Sequence, residues 1–336
     1  MKVWQIPSFG IDSLEFVERQ TPQAGPGEVL VHVRAVSFNF RDLMMVKGLY
    51  NPKLKLPRIP CSDGAGEVAA VGEGATRFKP GDRVAGIFMQ NWLDGPPTAA
   101  KIKGALGGDL DGMLAEYVVL KEAGLVRVPQ HLGFEEAATL PCAAVTAWNG
   151  LVAGQLRPGS TVLIQGTGGV SIFALQFARI MGMRVLGISG SAEKLERVRA
   201  LGLSAALNYK ETPDWDRWAI EQTGGEGVDL VIEVGGMGTL PRSLRALRIG
   251  GTIAQIGVLT GAADPLPLPQ ILHKQAHIRG IYVGSRSDFE EMNRAIALAE
   301  LKPVFESVPW SQAREVLHRM ESAGHFGKLV VTVNEA

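Results

Sequence analysis

Residues 161–171, Thr-Val-Leu-Ile-Gln-Gly-Thr-Gly-Gly-Val-Ser, constrain the fold of this chain more than any other stretch. Thr161, Val162, Leu163 and Ile164 favour a strand and run into a glycine cluster. Apolar residues then recur at helical spacing, at Val170, Phe173, Ala174, Phe177, Ala178 and Met181. A buried strand, a tight turn and a helix start are the parts of a dinucleotide-binding βα unit. Glycine is needed there because a Cβ would hold a pyrophosphate away from the backbone. The first helical turn also offers unpaired N–H donors and a partial positive charge. Gly166 suits the turn, Gly168 the close approach and Gly169 the loop's remaining freedom; with Thr167 and Val170 they are the expected cofactor contacts. Ser171 departs from the Gly-x-Gly-x-x-Gly pattern, which would place glycine or alanine there, although serine is small enough to keep helix and strand close.

The flanking sequence extends this unit. Strands are predicted at Thr161–Gln165, Arg184–Ile188, Ala205–Asn208, Val228–Val234, Thr252–Gly257 and His277–Val283, with helices between most of them. Two of those helices are Val170–Met181 and Ala192–Leu201, the second offered Ser191 as N-cap and Gly202 as its stop. Six strands with helical crossovers predict an α/β doubly wound parallel sheet. Before it, residues 1–121 read as short strands broken by Gly and Pro, the pattern of a small β-barrel or sandwich. The excursion from Gln90 to Asp111 suits a loop near the site. Glu135–Ala147 is helical text interrupted by Pro141, and a strand, helix and strand are expected between Pro303 and Val333.

Composition narrows the function classes. Charged residues make up 20% of 336, the formal net charge is +0, and 46% of residues are hydrophobic. This balance gives no electrostatic footprint for nucleic acid or an anionic membrane. No apolar run is long enough to cross a bilayer. Cys61 and Cys142 make no disulfide framework, so a reducing, cytoplasmic setting is expected.

The nucleotide is read at the end of the second strand, where NAD enzymes place an acidic residue on the ribose 2′-hydroxyl. This chain has Ser189-Gly190-Ser191 there, with Lys194 and Arg197 close behind and no carboxylate before Glu193. A 2′-phosphate would meet hydroxyl donors and positive charge, so NADP(H) is the expected cofactor, with Ser189, Gly190, Ser191 and Lys194 around the phosphate.

Several further stretches, taken in order, resemble the medium-chain dehydrogenase/reductase superfamily, and within it the zinc-free quinone oxidoreductase-like branch. They are Val36-Ser37-Phe38-Asn39-Phe40-Arg41-Asp42, the run Ile59 to Val68, Lys79-Pro80-Gly81-Asp82-Arg83-Val84, the run Leu140 to Trp148, Gly190 to Leu195, and His325-Phe326-Gly327-Lys328-Leu329-Val330. The resemblance covers nearly the whole chain. It implies a GroES-like β-barrel catalytic domain over residues 1–122, completed by 288–336, and a Rossmann NADP-binding domain over 123–287, with the cofactor between them. It further implies a homodimer formed through the last Rossmann strand. Asn39 and Tyr50 would lie beside nicotinamide and substrate, Tyr50 as hydrogen-bond donor or proton source. Thr146, Tyr209, Gly257, Val258 and Lys328 would be additional cofactor contacts.

Compared with zinc alcohol dehydrogenases, the chain has Asn39 where those enzymes have a cysteine, and Ser62-Asp63 near their His-Glu pair. Only Cys142 matches a ligand position. A catalytic zinc takes three protein ligands, so no metal is expected. Without a Lewis acid the accessible chemistry is hydride transfer to an already electrophilic quinone, enone or carbonyl. Donors such as Asn39, Arg41 and Tyr50 would stabilise the developing oxyanion. Arg41 can equally pair with Asp42 or Asp63 to hold the barrel. The expected activity is NADPH-dependent, zinc-independent reduction of quinones or activated enones. The alternatives are a zinc-free alcohol dehydrogenase or carbonyl reductase, and a non-catalytic NADPH-binding protein.

Overall fold

A computed structural model describes residues 1–261 and 266–333. Its Cα packing divides the chain into two units. One runs Met1–Val145 and resumes at Val283; the other is Thr146–Tyr282.

In the first unit β1 (Lys2–Gln5) and β2 (Glu15–Glu18) pair antiparallel. β3 (Glu28–Phe38) is the long strand on which the unit is built, and α1 (Phe40–Val46) follows it directly. β4 (Asp63–Val71), β5 (Arg83–Gly86), β6 (Tyr117–Lys121) and β7 (Leu125–Arg127) complete the first pass. β3 pairs antiparallel with β4 along its length and with β6 along its N-terminal half, and the sheet continues β4–β5–β7. The β3–β4 register shifts between Leu30 and Val31 and again between Val33 and Ala35. Such bulges bend the strand, which lets it serve several partners in a curled sheet. Gly66 is required where the two strands press together: a Cβ on it would stand 2.1 Å from the His32 carbonyl oxygen. Inward-facing Val29, Val31, Val33, Val36 and Phe38 carry the core, together with Leu114 and Leu329. This is the GroES-like half that the family resemblance implies, and its β character is what the run of short strands anticipates.

Pro141 disturbs the helical text as expected. α2 (Phe134–Ala138) ends, Leu140–Ala144 winds as a single wider π turn, and α3 (Val145–Ala153) resumes. Proline lacks an N–H and crowds the preceding turn, and widening the helix accommodates it.

The second unit is a six-stranded parallel sheet of β8 (Thr161–Gln165), β9 (Arg184–Ser189), β10 (Ala205–Asn208), β11 (Val228–Glu233), β12 (Leu247–Gln255) and β13 (His277–Gly280). Their spatial order is β10-β9-β8-β11-β12-β13. The order reverses beside β8, and ligands collect at such a switch point, outside the C-terminal ends of the strands. The crossovers include α4 (Gly169–Ile180), α5 (Ala192–Ala200), α6 (Trp215–Gln222), α7 (Leu240–Ala246) and α8 (Leu268–Lys274). Every residue of β8 is buried, as a central strand covered on both faces requires. The fifth strand starts at Leu247 rather than Thr252 and stops at Gln255, before Gly257.

The chain then re-enters the first unit through α9 (Arg286–Leu298), β14 (Phe305–Pro309), α10 (Ala313–Glu321) and β15 (Lys328–Thr332). β15 pairs with β14 on one side and with the C-terminal end of β3 on the other. The division at Val145 and Val283 differs from the expected 122/123 and 287/288. α2 packs on β3 and β4, so the segment after residue 122 stays with the first unit. Among the described residues, no helix is long and apolar enough to cross a membrane.

One buried charge anchors the second unit. Glu233, fully buried at the end of β11, accepts through Oε1 from the N–H groups of Gly235 (2.8 Å) and Gly236 (3.0 Å) and from the Thr239 hydroxyl (2.6 Å). Its Oε2 accepts from Gln165 Nε2 (2.8 Å) and from the Ser243 hydroxyl. The Gln165 Oε1 in turn receives the Val234 and Gly235 amides. The site therefore contains donors on every side and suits only an acceptor. Glu233→Gln is expected to destabilise the protein in spite of its matched shape, because its NH2 would face donors. A loss of about 1–3 kcal/mol is expected for a donor left without an acceptor, seen as a lower melting temperature in calorimetry.

Candidate active site

In the second unit the glycine loop has the geometry that its sequence implies. Gly166 has φ +71°, a left-handed conformation that a side chain would strain, and its N–H bonds the Ile188 carbonyl (2.7 Å). Gly168 is the N-cap of α4, and Gly169 and Val170 open that helix. Cβ atoms added at Gly166 or Gly168 would meet nothing within 4 Å, so open space lies in front of this backbone. An open space facing a twelve-residue helix start suits a pyrophosphate. Ser171, the departure from the fingerprint, is buried and donates its hydroxyl to the Gln165 carbonyl (2.6 Å). It ties the helix to the end of β8, the place where a third glycine would give close packing. Thr167 is buried in the same turn.

The expected phosphate residues gather at the ends of β9 and β10. Ser191 caps α5, its hydroxyl accepting from the Lys194 N–H (3.3 Å), and its own N–H reaches the Ser189 hydroxyl (3.4 Å). The Tyr209 N–H bonds the Ser189 carbonyl (3.2 Å), and its phenol lies over Gly190, where a Cβ would stand 2.9 Å from the hydroxyl. Gly257 follows β12 and packs against the Val234 carbonyl, and Val258 is exposed beside it. Thr146 is buried in the first turn of α3.

In the first unit a buried polar cluster forms where β3, α1, β4 and β15 meet. Asn39, 8% exposed, sits between β3 and α1, and its N–H is held by the Asp42 carboxylate (2.8 Å). Its side-chain oxygen accepts from Lys328 Nζ (2.5 Å), and its Nδ2 lies 3.5 Å from the Ser62 hydroxyl. Ser62 donates to Asp63 Oδ1 (2.6 Å). Asp63 Oδ2 receives the Cys142 N–H (3.1 Å), an amide within the π turn beside Pro141, and stands 3.8 Å from Lys328 Nζ. Lys328 also donates to the Phe38 carbonyl (2.6 Å).

Lys328, which the resemblance makes a cofactor contact, lies in this cluster. The side chain is 3% exposed and its ammonium points into its own unit, toward three acceptors. Arg41 takes the barrel-holding role, pairing with Asp42 (3.2 Å) and donating to the Leu106 carbonyl (2.7 Å). Tyr50 is 46% exposed, in the loop after α1, with the Arg41 guanidinium 5.7 Å from its ring centroid. The excursion from Gln90 to Asp111 is closed on itself. Its ends are pinned by a Met89–Ala105 bridge and by bonds such as Gly104 N–H to Asp109 (2.7 Å), and through Leu106 it backs the cluster.

Asp63, Ser62 and Asp42 were not among the residues singled out for function. Asp42 carried a signal, an acid three residues after Asn39 at a helix start. Asp63 stands out in the sequence only as a possible partner of Arg41 and for its place near the His-Glu pair of zinc enzymes; the burial that sets its chemistry has no local signal. That burial raises its carboxyl to about 6, the effect being opposed by Lys328 and reinforced by Asp42. Burial likewise pushes the thiols of Cys61 and Cys142 far up, so neither is a ready thiolate. Among the described residues, no three His, Cys, Asp or Glu side chains gather as a metal-binding group.

Comparison with known proteins gives this geometry its family. The model for the alcohol dehydrogenase GroES-like domain matches residues 25–130, and that for zinc-binding dehydrogenases matches residues 169–298. The chain belongs to the medium-chain dehydrogenase/reductase superfamily. A zinc-type alcohol dehydrogenase-like protein of Schizosaccharomyces pombe is 46% identical over 334 residues, covering 97% of this chain and 96% of its own. Acryloyl-coenzyme A reductase of Metallosphaera sedula is 33% identical over 298 residues, 86% of this chain and 87% of its own. A solved NAD-dependent alcohol dehydrogenase superposes with a TM-score of 0.90 at 35% identity, covering 99% of this chain and 100% of that one. Membership in the superfamily makes the protein an oxidoreductase of small molecules, and its Rossmann sheet implies a nicotinamide cofactor.

The raised Asp63 carboxyl has a consequence for stability. The folded form holds this proton more tightly than the unfolded chain, whose carboxyl titrates near 3.8. Folding therefore gains stability as the pH falls from about 6 toward 4, and loses that gain as the pH rises through the same window. Asp63→Asn lacks the titration. The melting-temperature difference, wild type minus Asp63→Asn, is expected to increase between pH 7 and pH 4; a constant difference would contradict the assignment.

Proposed function

We propose that the protein is an NADPH-dependent reductase of quinones or activated enones that works without zinc. The observation that carries this reading is the setting of Asn39. A carboxamide, already engaged by a lysine ammonium, stands where zinc alcohol dehydrogenases have a cysteine ligand. A catalytic zinc needs three protein ligands and an open position, and among the described residues no group of three His, Cys, Asp or Glu side chains meets that requirement. The residue types that remain are hydrogen-bond donors, which suit an acceptor able to delocalise charge onto oxygen.

Bound NADPH would supply the hydride. The loop Gly166–Val170 would hold its pyrophosphate, with Ser189, Gly190, Ser191, Lys194 and Tyr209 around the 2′-phosphate. Gly257, Val258 and Thr146 would face the nicotinamide end. Asn39 Nδ2 and the Tyr50 hydroxyl would donate to the acceptor's oxygen as it becomes negative, Tyr50 providing the proton. Acryloyl-coenzyme A reductase, a relative named for an α,β-unsaturated substrate, supports the enone class. The similarity to an NAD-dependent alcohol dehydrogenase favours a second reading, reversible carbonyl reduction. We further propose a cytoplasmic homodimer joined along β13, an edge strand whose four residues are exposed, next to the exposed Leu268 and Leu272 of α8.

Two measurements test this. NADPH oxidation with a panel of quinones and enones is expected to survive chelator treatment; activity that disappears and returns with zinc would refute the metal-free reading. Turnover of simple alcohols and ketones alone would favour the second reading. Lys194→Ala is expected to weaken NADPH binding roughly tenfold or more while sparing NADH, the loss of one charge-assisted hydrogen bond. Equal losses for both cofactors would contradict the phosphate role.

A further inference from the structure

Lys328 has a role that neither the resemblance nor the proposed reaction assigns. Its ammonium is a donor-only group, buried at the start of β15 and bonded to the Phe38 carbonyl (2.6 Å) and to Asn39 Oδ1 (2.5 Å). An asparagine amide has two ends of nearly equal shape, and its orientation is decided by its neighbours. If the Asn39 amide were turned over, its NH2 would face an ammonium at hydrogen-bond distance, donor against donor. The lysine therefore permits one orientation, with Oδ1 toward the ammonium and Nδ2 away from it. The N–H end faces the Ser62 hydroxyl at 3.5 Å, the limit of a hydrogen bond, and the neighbouring Asp63 carboxyl, which it helps to hold down. The backbone of Asn39 is fixed separately, by the Asp42 carboxylate on its N–H (2.8 Å).

We propose that Lys328 is a positioning residue: its ammonium pins the carbonyl end of the Asn39 amide and so fixes the N–H end as the donor that a bound acceptor meets. This rests on the reading of Asn39 as a donor to the acceptor's oxygen. The arrangement gives a zinc-free site a fixed cation in place of a metal's charge, one that acts through a neighbouring amide. Asp63, 3.8 Å from the ammonium, is the counter-ion that makes burying this charge tolerable.

Removing Lys328 alone would leave Asp63 buried and unpaired, a change that can unfold the unit. The informative variant is therefore the double substitution Lys328→Met with Asp63→Asn, alongside Lys328→Arg, Asp63→Asn and Asn39→Ala. The first readout is the side-chain NH2 resonance pair of Asn39 in protein carrying 15N-asparagine, identified by its loss in Asn39→Ala. The expected result is a wild-type pair that shifts or broadens in the double variant, stays near the wild-type position in Asp63→Asn, and returns toward it in Lys328→Arg. The second readout is steady-state reduction of a quinone or enone by NADPH. In the double variant kcat is expected to fall roughly tenfold or more, with the NADPH dissociation constant changed by less than about twofold. Adding Asn39→Ala to the double variant should lower kcat no further, because both changes remove the same donor.

An Asn39 pair unchanged in the double variant overturns the proposal, whatever the activity. So does an altered pair with undiminished kcat, or an independent additional loss on adding Asn39→Ala. Wild-type protein that turns over no acceptor refutes the proposed reaction instead. The resonance pair then decides by itself whether Lys328 sets the amide.

Discussion

A lysine ammonium buried in a protein must find acceptors, because leaving a charge without partners costs far more than a small domain's stability margin. Around Lys328 those acceptors are a carbonyl at the end of β3, the Asn39 side chain just beyond it, and the Asp63 carboxylate at the start of β4. They come together only because β15 lies antiparallel beside the end of β3, and β3 beside β4. The segment that returns from the second unit thus completes the polar centre of the first. Asp63 meets the same demand from the opposite side, taking donors from Ser62 and from a π-turn amide as well as the ammonium.

The second unit solves a similar problem by other means. Glu233 is just as deeply buried, yet its hydrogen-bond partners are all neutral: two loop amides, two hydroxyls and a carboxamide. Those partners come from the loop after β11, from α7 and from the end of β8. The carboxylate therefore holds together the C-terminal edge of the sheet, on the side where the strand order reverses and the glycine loop begins. One unit stabilises its carboxylate with a cation that also orients an amide. The other uses dipoles alone.

Family membership and this geometry bear on different questions. The superfamily fixes the class, an oxidoreductase with a nicotinamide cofactor. Its members carry names that include zinc-type alcohol dehydrogenase-like protein and acryloyl-coenzyme A reductase, so the class leaves the chemistry of the acceptor open. In the reading proposed above, that choice depends on a few side chains at the end of β3 and the start of β4. There Asn39, Ser62 and Asp63 make polar contacts among themselves.

Much of the second unit was legible in the sequence. Its glycine loop, the six parallel strands and the Ser191 cap follow from periodicity, β-branched runs and turn residues, all local properties that neighbouring residues settle among themselves. The edges of that reading were weaker. The fifth strand began five residues early, at Leu247, because that residue pairs with Val228 of β11 ahead of a register shift, and the glycines between it and Thr252 carry no strand preference of their own. The unit boundary fell at Val145 rather than 122 because α2 packs on β3 and β4, a contact that no local pattern announces. At the site, the sequence by itself determined that an acidic residue is missing after β9, and its family resemblance put Asn39 and Tyr50 forward as donors. Only the tertiary structure decided that Lys328 turns inward to hold Asn39, and that Asp63 and Glu233 are buried charges with complete sets of partners. The reason is physical: a side chain's propensity is local, but its burial, and with it the value of its charge, depends on which distant strands close over it.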